Sequence, residues 1–182
     1  EITRYIASLS HKRIAFIAGD PKHKAVAQRF VGYKDGLEQS ELAFSEELVL
    51  AVDNSIGSGE RAAEELLSRD KPPTAIFAAN DEMAAGVIRV AYRRNIDVPG
   101  ELSVAGFDDS SLAQQVYPSL TTIRQPLATM AEQAATALIS DPGDGSSLRG
   151  TEVVPATLVI RDSTGPAPGS TDVQRTKRML SR

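Results

Sequence analysis

Four short apolar runs recur along the chain: RIAFIAG (13–19), EELVLAV (46–52), TAIFAAN (74–80) and LSVAGFD (102–108). Their apolar positions are too continuous for a strand with one face in water, so they read as buried parallel strands. The stretches between them switch to helical spacing. Val26, Phe30, Tyr33 and Leu37 fall at i, i+4, i+7 and i+11, one stripe of a helix. Ala62, Ala63, Leu66 and Leu67 mark a second helix, and Met83, Ala84, Val87, Ile88 and Ala91 a third. Asp20-Pro21 has the chemistry of an N-cap followed by a first helical residue. Asn80 is the expected cap of the third helix, with Asp81 and Glu82 in its first turn and Arg93 and Arg94 at its end, as the helix dipole favours. Strands alternating with helices at this spacing predict an α/β fold, a doubly wound, mostly parallel sheet flanked by helices.

The two ends of the chain depart from that rhythm. Ile2, Ile6 and Leu9 form a helical stripe ahead of the first strand, the second half of a crossover whose opening strand is missing, so the sequence looks cut. After Thr122 the alternation loosens. IRQPLATMAEQAATALIS predicts a further helix with Leu127, Met130, Ala131, Ala134 and Leu138 on one face. A Gly/Ser/Asp loop (140–150) and a final strand (152–162) follow, then a tail with no apolar period that is expected to be disordered.

Composition narrows the function. Of 182 residues, 41% are hydrophobic and 24% charged, enough for one sizeable core. No run is long and apolar enough for a membrane span, and no signal peptide opens the chain. The absence of cysteine removes thiol nucleophiles, thiolate metal sites and disulfides. A net charge of −4 gives no basic footprint for nucleic acid, so any DNA contact belongs to another segment.

Candidate chemistry gathers where a parallel sheet holds its ligands, beyond the carboxyl ends of the strands. Asp20 follows the first strand, Asp53 and Asn54 the second, Asn80 and Asp81 the third, Asp108 and Asp109 the fourth. Helix capping accounts for Asp20 and Asn80, but a single cap needs only one of Asp108 and Asp109. Phe107 stands beside them. Arg29, one turn into the helix after the first strand, carries a planar fork suited to paired hydroxyls or a carboxylate; read from spacing alone it is a solvated surface arginine. Catalytic patterns are missing: there is no G-x-G-x-x-G, no P-loop and no G-x-S-x-G. GSGE (57–60) reads as a loop and helix start. His11 and His23 lack metal-ligand spacing and read as helix-end or surface residues. A receiver-type phosphorylation domain would carry its acidic pair after the first strand, not the fourth. Ligand binding, not catalysis, is the expectation, with no metal and no cofactor.

The strings LSHKRIAFIAG (9–19), AVAQRFVGYKDGL (25–37), PTAIFAANDEMAAGVIRVAYRRNIDVPGELSVAGFDDSSLA (73–113) and PSLTTIRQP (118–126) together resemble the LacI/GalR-type bacterial transcriptional regulators, over residues 1 to about 163. The motifs R-x-x-G-[YF], A-x-N-D-x-M-A-x-G, P-x-[ED]-[LI]-S-[VI]-x-G-[FY]-D-D and P-x-L-T-T-[IV]-x-Q occur in order. The resemblance implies a core like type I periplasmic sugar receptors, with an effector held between two α/β subdomains and a helix-turn-helix that reads operator DNA. By that topology residues 1–122 with 152–163 are the C-terminal effector-binding subdomain. Residues 123–140 belong to an N-terminal subdomain otherwise missing here, 164–182 are tail, and the helix-turn-helix is absent from this chain.

The resemblance also assigns residues. Arg29, Asn80 and Asp108 match positions that hydrogen-bond the effector, often a sugar or purine, and Gln125 matches a position near the cleft at the crossover between subdomains. Asp20, Asn54 and Phe107 are further candidates on that edge. Asp81 stays a first-turn helix charge and Asp109 a residue that caps or fixes its loop. The helix 81–95 and loop 112–120 resemble the family's dimer surface. The chain departs from the pattern twice. Ser10 replaces the usual glycine before the histidine, and Asn54 replaces an aromatic ring common in sugar-responsive members. The implied protein is a cytoplasmic homodimeric repressor, not an enzyme and not membrane-bound; the alternative is a periplasmic-type sugar receptor of a transport system.

Overall fold

The computed structural model describes residues 1–20, 22–140 and 153–170. Strands β1 (Ile14–Ala18), β2 (Val49–Ala51), β3 (Ala75–Ala78) and β4 (Ser103–Ala105) form a parallel sheet in the order β2-β1-β3-β4. Phe16 lies opposite both Val49 and Phe77, and Ala75 opposite Ser103. Helices α1 (Ile2–Ser8) and α2 (Lys24–Glu38) pack on each other, as do α3 (Ile56–Leu67) and α4 (Asp81–Arg93). Right-handed crossovers put α2 on one face and α3 and α4 on the other, because β2 is added on one side of β1 and β3 and β4 on the other. α5 (Ser111–Gln115) is a short turn of helix. β5 (Thr122–Arg124) and β6 (Thr157–Val159) pair antiparallel outside the main sheet, with helix α6 (Leu127–Ser140) between them in sequence.

The continuous apolar runs have their predicted cause: β1, β3 and β4 are buried at every position. Phe16 anchors the α2 side, its ring centroid 5.0 Å from that of Tyr33 and 5.1 Å from that of Phe77. The Tyr33 hydroxyl donates to the Ile14 carbonyl at 2.8 Å, and burial pushes it up to about 12. On the other face Gly59 and Gly86 let α3 and α4 meet backbone to backbone. A Cβ on Gly86 would stand 2.3 Å from the Ile56 carbonyl oxygen, and one on Gly59 2.3 Å from that of Met83.

Several local expectations are corrected. The run 46–52 splits into a 3₁₀ turn (Glu46–Leu48) and a three-residue β2. As an edge strand β2 has one neighbour and stays half-buried, so a strand expected to be buried on both faces is not. Helix α2 starts at Lys24, with His23 at its cap and no side-chain capping bond. Asp20 instead accepts from the Lys22 N–H at 2.9 Å, a local turn that delays the helix; Pro21 lies outside the described residues. His11 is not at the surface. It is fully buried, its Nδ1 2.9 Å from Thr74 Oγ1 and its Nε2 3.0 Å from both Ser103 Oγ and the Gly165 carbonyl. That last contact overturns part of the expected tail. Residues 163–170 pack on the body, with Ser163, Thr164 and Ala167 buried and the Ala167 N–H donating to the Leu9 carbonyl. Small and proline residues hold this strap by polar contacts, which an apolar period does not report. The expected loop from 141 and the tail from 171 lie outside the described residues. Among the described residues of the run 152–162, three pair, antiparallel with β5.

Candidate functional site

The site grows from the end of β4. Gly106 N–H donates to the Thr121 carbonyl and Asp108 N–H to the Ile123 carbonyl, so the chain leaving β4 runs beside β5. Asp108 and Asp109 then take φ of 117° and 52°. Two successive non-glycine residues in the left-handed region store strain that persists only where surroundings enforce it. The enforcement is polar. Asp109, its side chain only 3% exposed, accepts from Arg124 Nε and Arg161 Nη2, each at 2.5 Å. Burial alone would push its carboxyl up; the two arginines outweigh that and hold it below the usual carboxylate range.

Asp108 faces the other way. Its Oδ1 accepts from Gln125 Nε2 at 2.6 Å and from Arg29 Nη2 at 3.3 Å, and among the described residues Oδ2 accepts none. Arg29 reaches the same edge from α2. Its Nη1 donates to the Ala79 carbonyl at 2.6 Å, and its guanidinium stacks 3.8 Å over the Phe107 ring, a cation–π contact. Burial lowers the Arg29 pKa and raises that of Asp108, in each case against the attraction of the pair. A half-buried ion pair of this kind contributes little to folding. It presents directed donors and an acceptor at a strand end, which is what a polar ligand needs. The solvated-surface reading of Arg29 is therefore wrong; its partners, two strands away in space, are invisible to local spacing.

The structure thus brings Arg29, Phe107, Asp108 and Gln125 together. Arg29, Phe107 and Gln125 line a cavity of about 410 Å³ with Gln28, Tyr33 and Phe77. Asn80 and Asn54 form a second, adjoining pair outside that lining. Asn80 Oδ1 caps α4 by accepting from the Met83 N–H at 2.8 Å, and its Nδ2 donates to the Asn54 carbonyl at 3.0 Å. The Asn54 side chain in turn lies against Gly19, where any Cβ would collide with Oδ1. Asp20 turns onto its own loop. No group of three or more metal-ligating side chains gathers among the described residues.

Sequence reasoning missed one organising residue. Asp81, expected to be a helix charge, is buried and accepts from Thr122 Oγ1 at 2.6 Å, the Ser110 N–H at 2.7 Å and Ser110 Oγ at 3.0 Å. Burial pushes its carboxyl up against these bonds. Gly106 makes room for it, since a Cβ there would stand 2.5 Å from Asp81 Oδ1. A glycine between Ala105 and Phe107 was the only signal.

Away from the edge, α4, α5 and the segment after α5 share an apolar surface of Ile88, Tyr92, Leu112, Val116 and Tyr117, with Tyr92 84% and Tyr117 94% exposed. Helix α6 buries none of its side chains, and Leu127, Met130 and Leu138 are exposed.

The chain matches the periplasmic binding protein-like domain over residues 3–164. It is 38% identical over 167 residues to the HTH-type transcriptional regulator DegA of Bacillus subtilis, covering 91% of this chain and 49% of that protein. It is 38% identical over 161 residues to the HTH-type transcriptional regulator GalR of Escherichia coli, covering 88% and 47%. Among solved structures, the transcriptional regulator LacI from Bacillus cereus subsp. cytotoxis superposes with a TM-score of 0.85 at 30% identity, covering 91% of this chain and 58% of that one. The CelR–cellobiose complex gives 0.79 at 33% identity, covering 88% and 49%. The chain spans about half the length of the curated relatives it matches.

Proposed function

The chain belongs to the periplasmic-binding-protein-like family, in the branch of LacI/GalR-type transcriptional regulators, and from that premise we propose that it is the effector-sensing part of a DNA-binding regulator. A small polar metabolite, a sugar or a related polyol, binds at the carboxyl ends of the strands and shifts the protein between two arrangements of differing operator affinity. The observation that carries this reading is the cluster of Arg29, Phe107, Asp108 and Gln125, held at a strained turn beside a cavity. Arg29 and Gln125 donate, Asp108 accepts, and Phe107 gives an apolar face. Asn80 and Asn54 extend the polar edge, and Asp20 borders it. One solved relative is a complex with cellobiose, which supports a carbohydrate class of effector.

The relatives named above are transcription regulators, which favours this reading over a transport receptor and over an enzyme. Operator DNA is contacted by a helix-turn-helix outside this chain, and the protein works in the cytoplasm. No helix among the described residues is long and apolar enough to cross a membrane. The exposed Tyr92 and Tyr117 face joins two copies as a homodimer; one solved relative is described as the dimeric Lac repressor. Residues 1–122 with 152–163 act as one subdomain, and residues 123–140, whose helix α6 stands clear of this core, pack in a second one.

An effector can shift the equilibrium only by its differential affinity for the two states. Each directed bond to the charged Arg29 or Asp108 contributes about 1.5–3 kcal/mol when buried, so losing one lowers affinity by roughly ten- to a hundredfold. The test is thermal-shift screening of the full-length protein against neutral sugars, sugar acids and purines, since stabilisation grows as RT ln(1 + [L]/Kd). The proposal requires a hit whose shift collapses in Arg29→Ala and in Asp108→Ala. A hit that both variants retain would move the site elsewhere.

A further inference from the structure

Asp109 stands next to the effector cluster without touching it, yet its nearly buried carboxylate is bound by two arginines. Its two oxygens go to different segments of the chain. Oδ2 takes Arg124 of β5, and Oδ1 takes Arg161, two residues beyond β6. Arg161 also donates from Nη1 to the Leu120 carbonyl at 2.7 Å, and its backbone N–H bonds Thr121 Oγ1 at 2.9 Å. One carboxylate therefore staples the strand that leaves for α6 to the strand that returns from it, and both to the loop after β4. The four-stranded sheet is paired without this tie. It acts at the Asp108–Asp109 turn, where two successive non-glycine residues take positive φ.

We infer that Asp109 is a positioning residue for the effector site: by bridging Arg124 and Arg161 it holds the left-handed turn that points Asp108 at Arg29 and Gln125, and so couples the set of that cluster to the two connecting strands. Without the bridge the turn relaxes, Asp108 leaves Arg29, and the guanidinium keeps only the Ala79 carbonyl and the Phe107 ring. Any displacement of β5 against β6 reaches Asp108 through the same two bonds. Arg161, 13% exposed at its side chain, carries more of the tie than Arg124 at 56%, because the exposed pair is screened by water.

The inference draws its importance from the effector reading but is tested without an effector, so the two fail separately. The measurement is ¹⁵N NMR of arginine side chains in the 182-residue chain, following hindered rotation of the Arg29 guanidinium. In Asp109→Asn the rotation is expected to be about tenfold faster, the factor one net hydrogen bond represents. Leu66→Ala, a core change remote from the site, is the control, compared where it loses as much melting temperature. Arg124→Gln, which removes only the exposed partner and leaves the fold intact, is expected to give a smaller change in the same direction. Arg161→Lys, which keeps one charged bond, is expected to rotate more slowly than Arg161→Gln. Unchanged Arg29 rotation in Asp109→Asn or, should that variant not fold, in both Arg124→Gln and Arg161→Gln, overturns the inference. So does an equal change in Leu66→Ala, which would make Asp109 a contributor to general stability only.

Discussion

Replacing Gly86 and, separately, Gly32 with alanine puts the same methyl group into two helices and should change stability in opposite directions. In an exposed helix interior the change gains about 0.8–1.0 kcal/mol, because alanine loses less backbone entropy. Gly32 lies on α2 with no heavy atom within 4 Å of the new Cβ, so that full gain is expected. At Gly86 the Cβ would sit 2.3 Å from the Ile56 carbonyl oxygen and 2.8 Å from the Glu60 nitrogen. Both neighbours are backbone atoms that cannot rotate away, so α3 and α4 must part by about an ångström. Overpacking of this kind costs roughly 1–3 kcal/mol, and rigid backbone puts Gly86 at the upper end. Subtracting the propensity gain leaves a net loss of about 2 kcal/mol, a fall in Tm of roughly 4–8 °C for a chain of this length. The separation also strains the Asn80–Asn54 bond, which joins the N-terminal ends of these two helices. Urea unfolding at 25 °C followed by circular dichroism measures both variants. A Gly86→Ala variant as stable as the parent, or more so, would refute the close approach of α3 and α4.

Ser10→Gly should stabilise by about 1 kcal/mol, since Ser10 has φ of 71° just past the end of α1 and a left-handed side chain costs about that much; the same unfolding assay reads it. Asp81→Ala removes the acceptor of three bonds from Ser110 and Thr122. Leaving buried donors unpaired outweighs the relief of a buried charge, and a loss of about 3–5 kcal/mol is expected. His11 predicts a pH slope. Burial lowers its pKa from 6.5, so between the folded and unfolded values the unfolded chain binds more protons and stability rises with pH. Its contribution is complete above 6.5 and is lost as pH falls through that value, by up to about 1.4 kcal/mol per pH unit. The difference in unfolding free energy between the parent and His11→Gln, measured from pH 8 to pH 5, should show that slope; a flat difference would contradict it.

The fold was legible because three strands buried on both faces leave continuous apolar runs and the helices against them leave 3.6-residue stripes. The parts that misread lie where a tertiary partner overrides a local signal. Asp20-Pro21 has cap chemistry, yet Asp20 closes a turn of its own. His11 looks like a helix-end residue, yet Thr74, Ser103 and the strap at Gly165 enclose it. Arg29 was a surface residue by spacing and a ligand residue only by resemblance; its cause is the Ala79 carbonyl and Asp108, about fifty and eighty positions away. Of the two adjacent acids, the sequence separated roles by motif, while the opposite directions of their carboxylates follow from two left-handed residues that no period announces.

If the Arg29–Asp108 edge holds the effector, its occupancy must change how the protein grips its operator. The decisive measurement is operator affinity of the full-length protein, with and without the effector found by screening, in the parent and in Asp108→Ala. The effector is expected to change operator affinity roughly 5- to 150-fold in the parent, the range of a coupling of about 1–3 kcal/mol. In the variant, basal operator affinity stays and the response disappears at the same effector concentration. A variant that answers the effector as the parent does would show that Asp108 does not hold the effector.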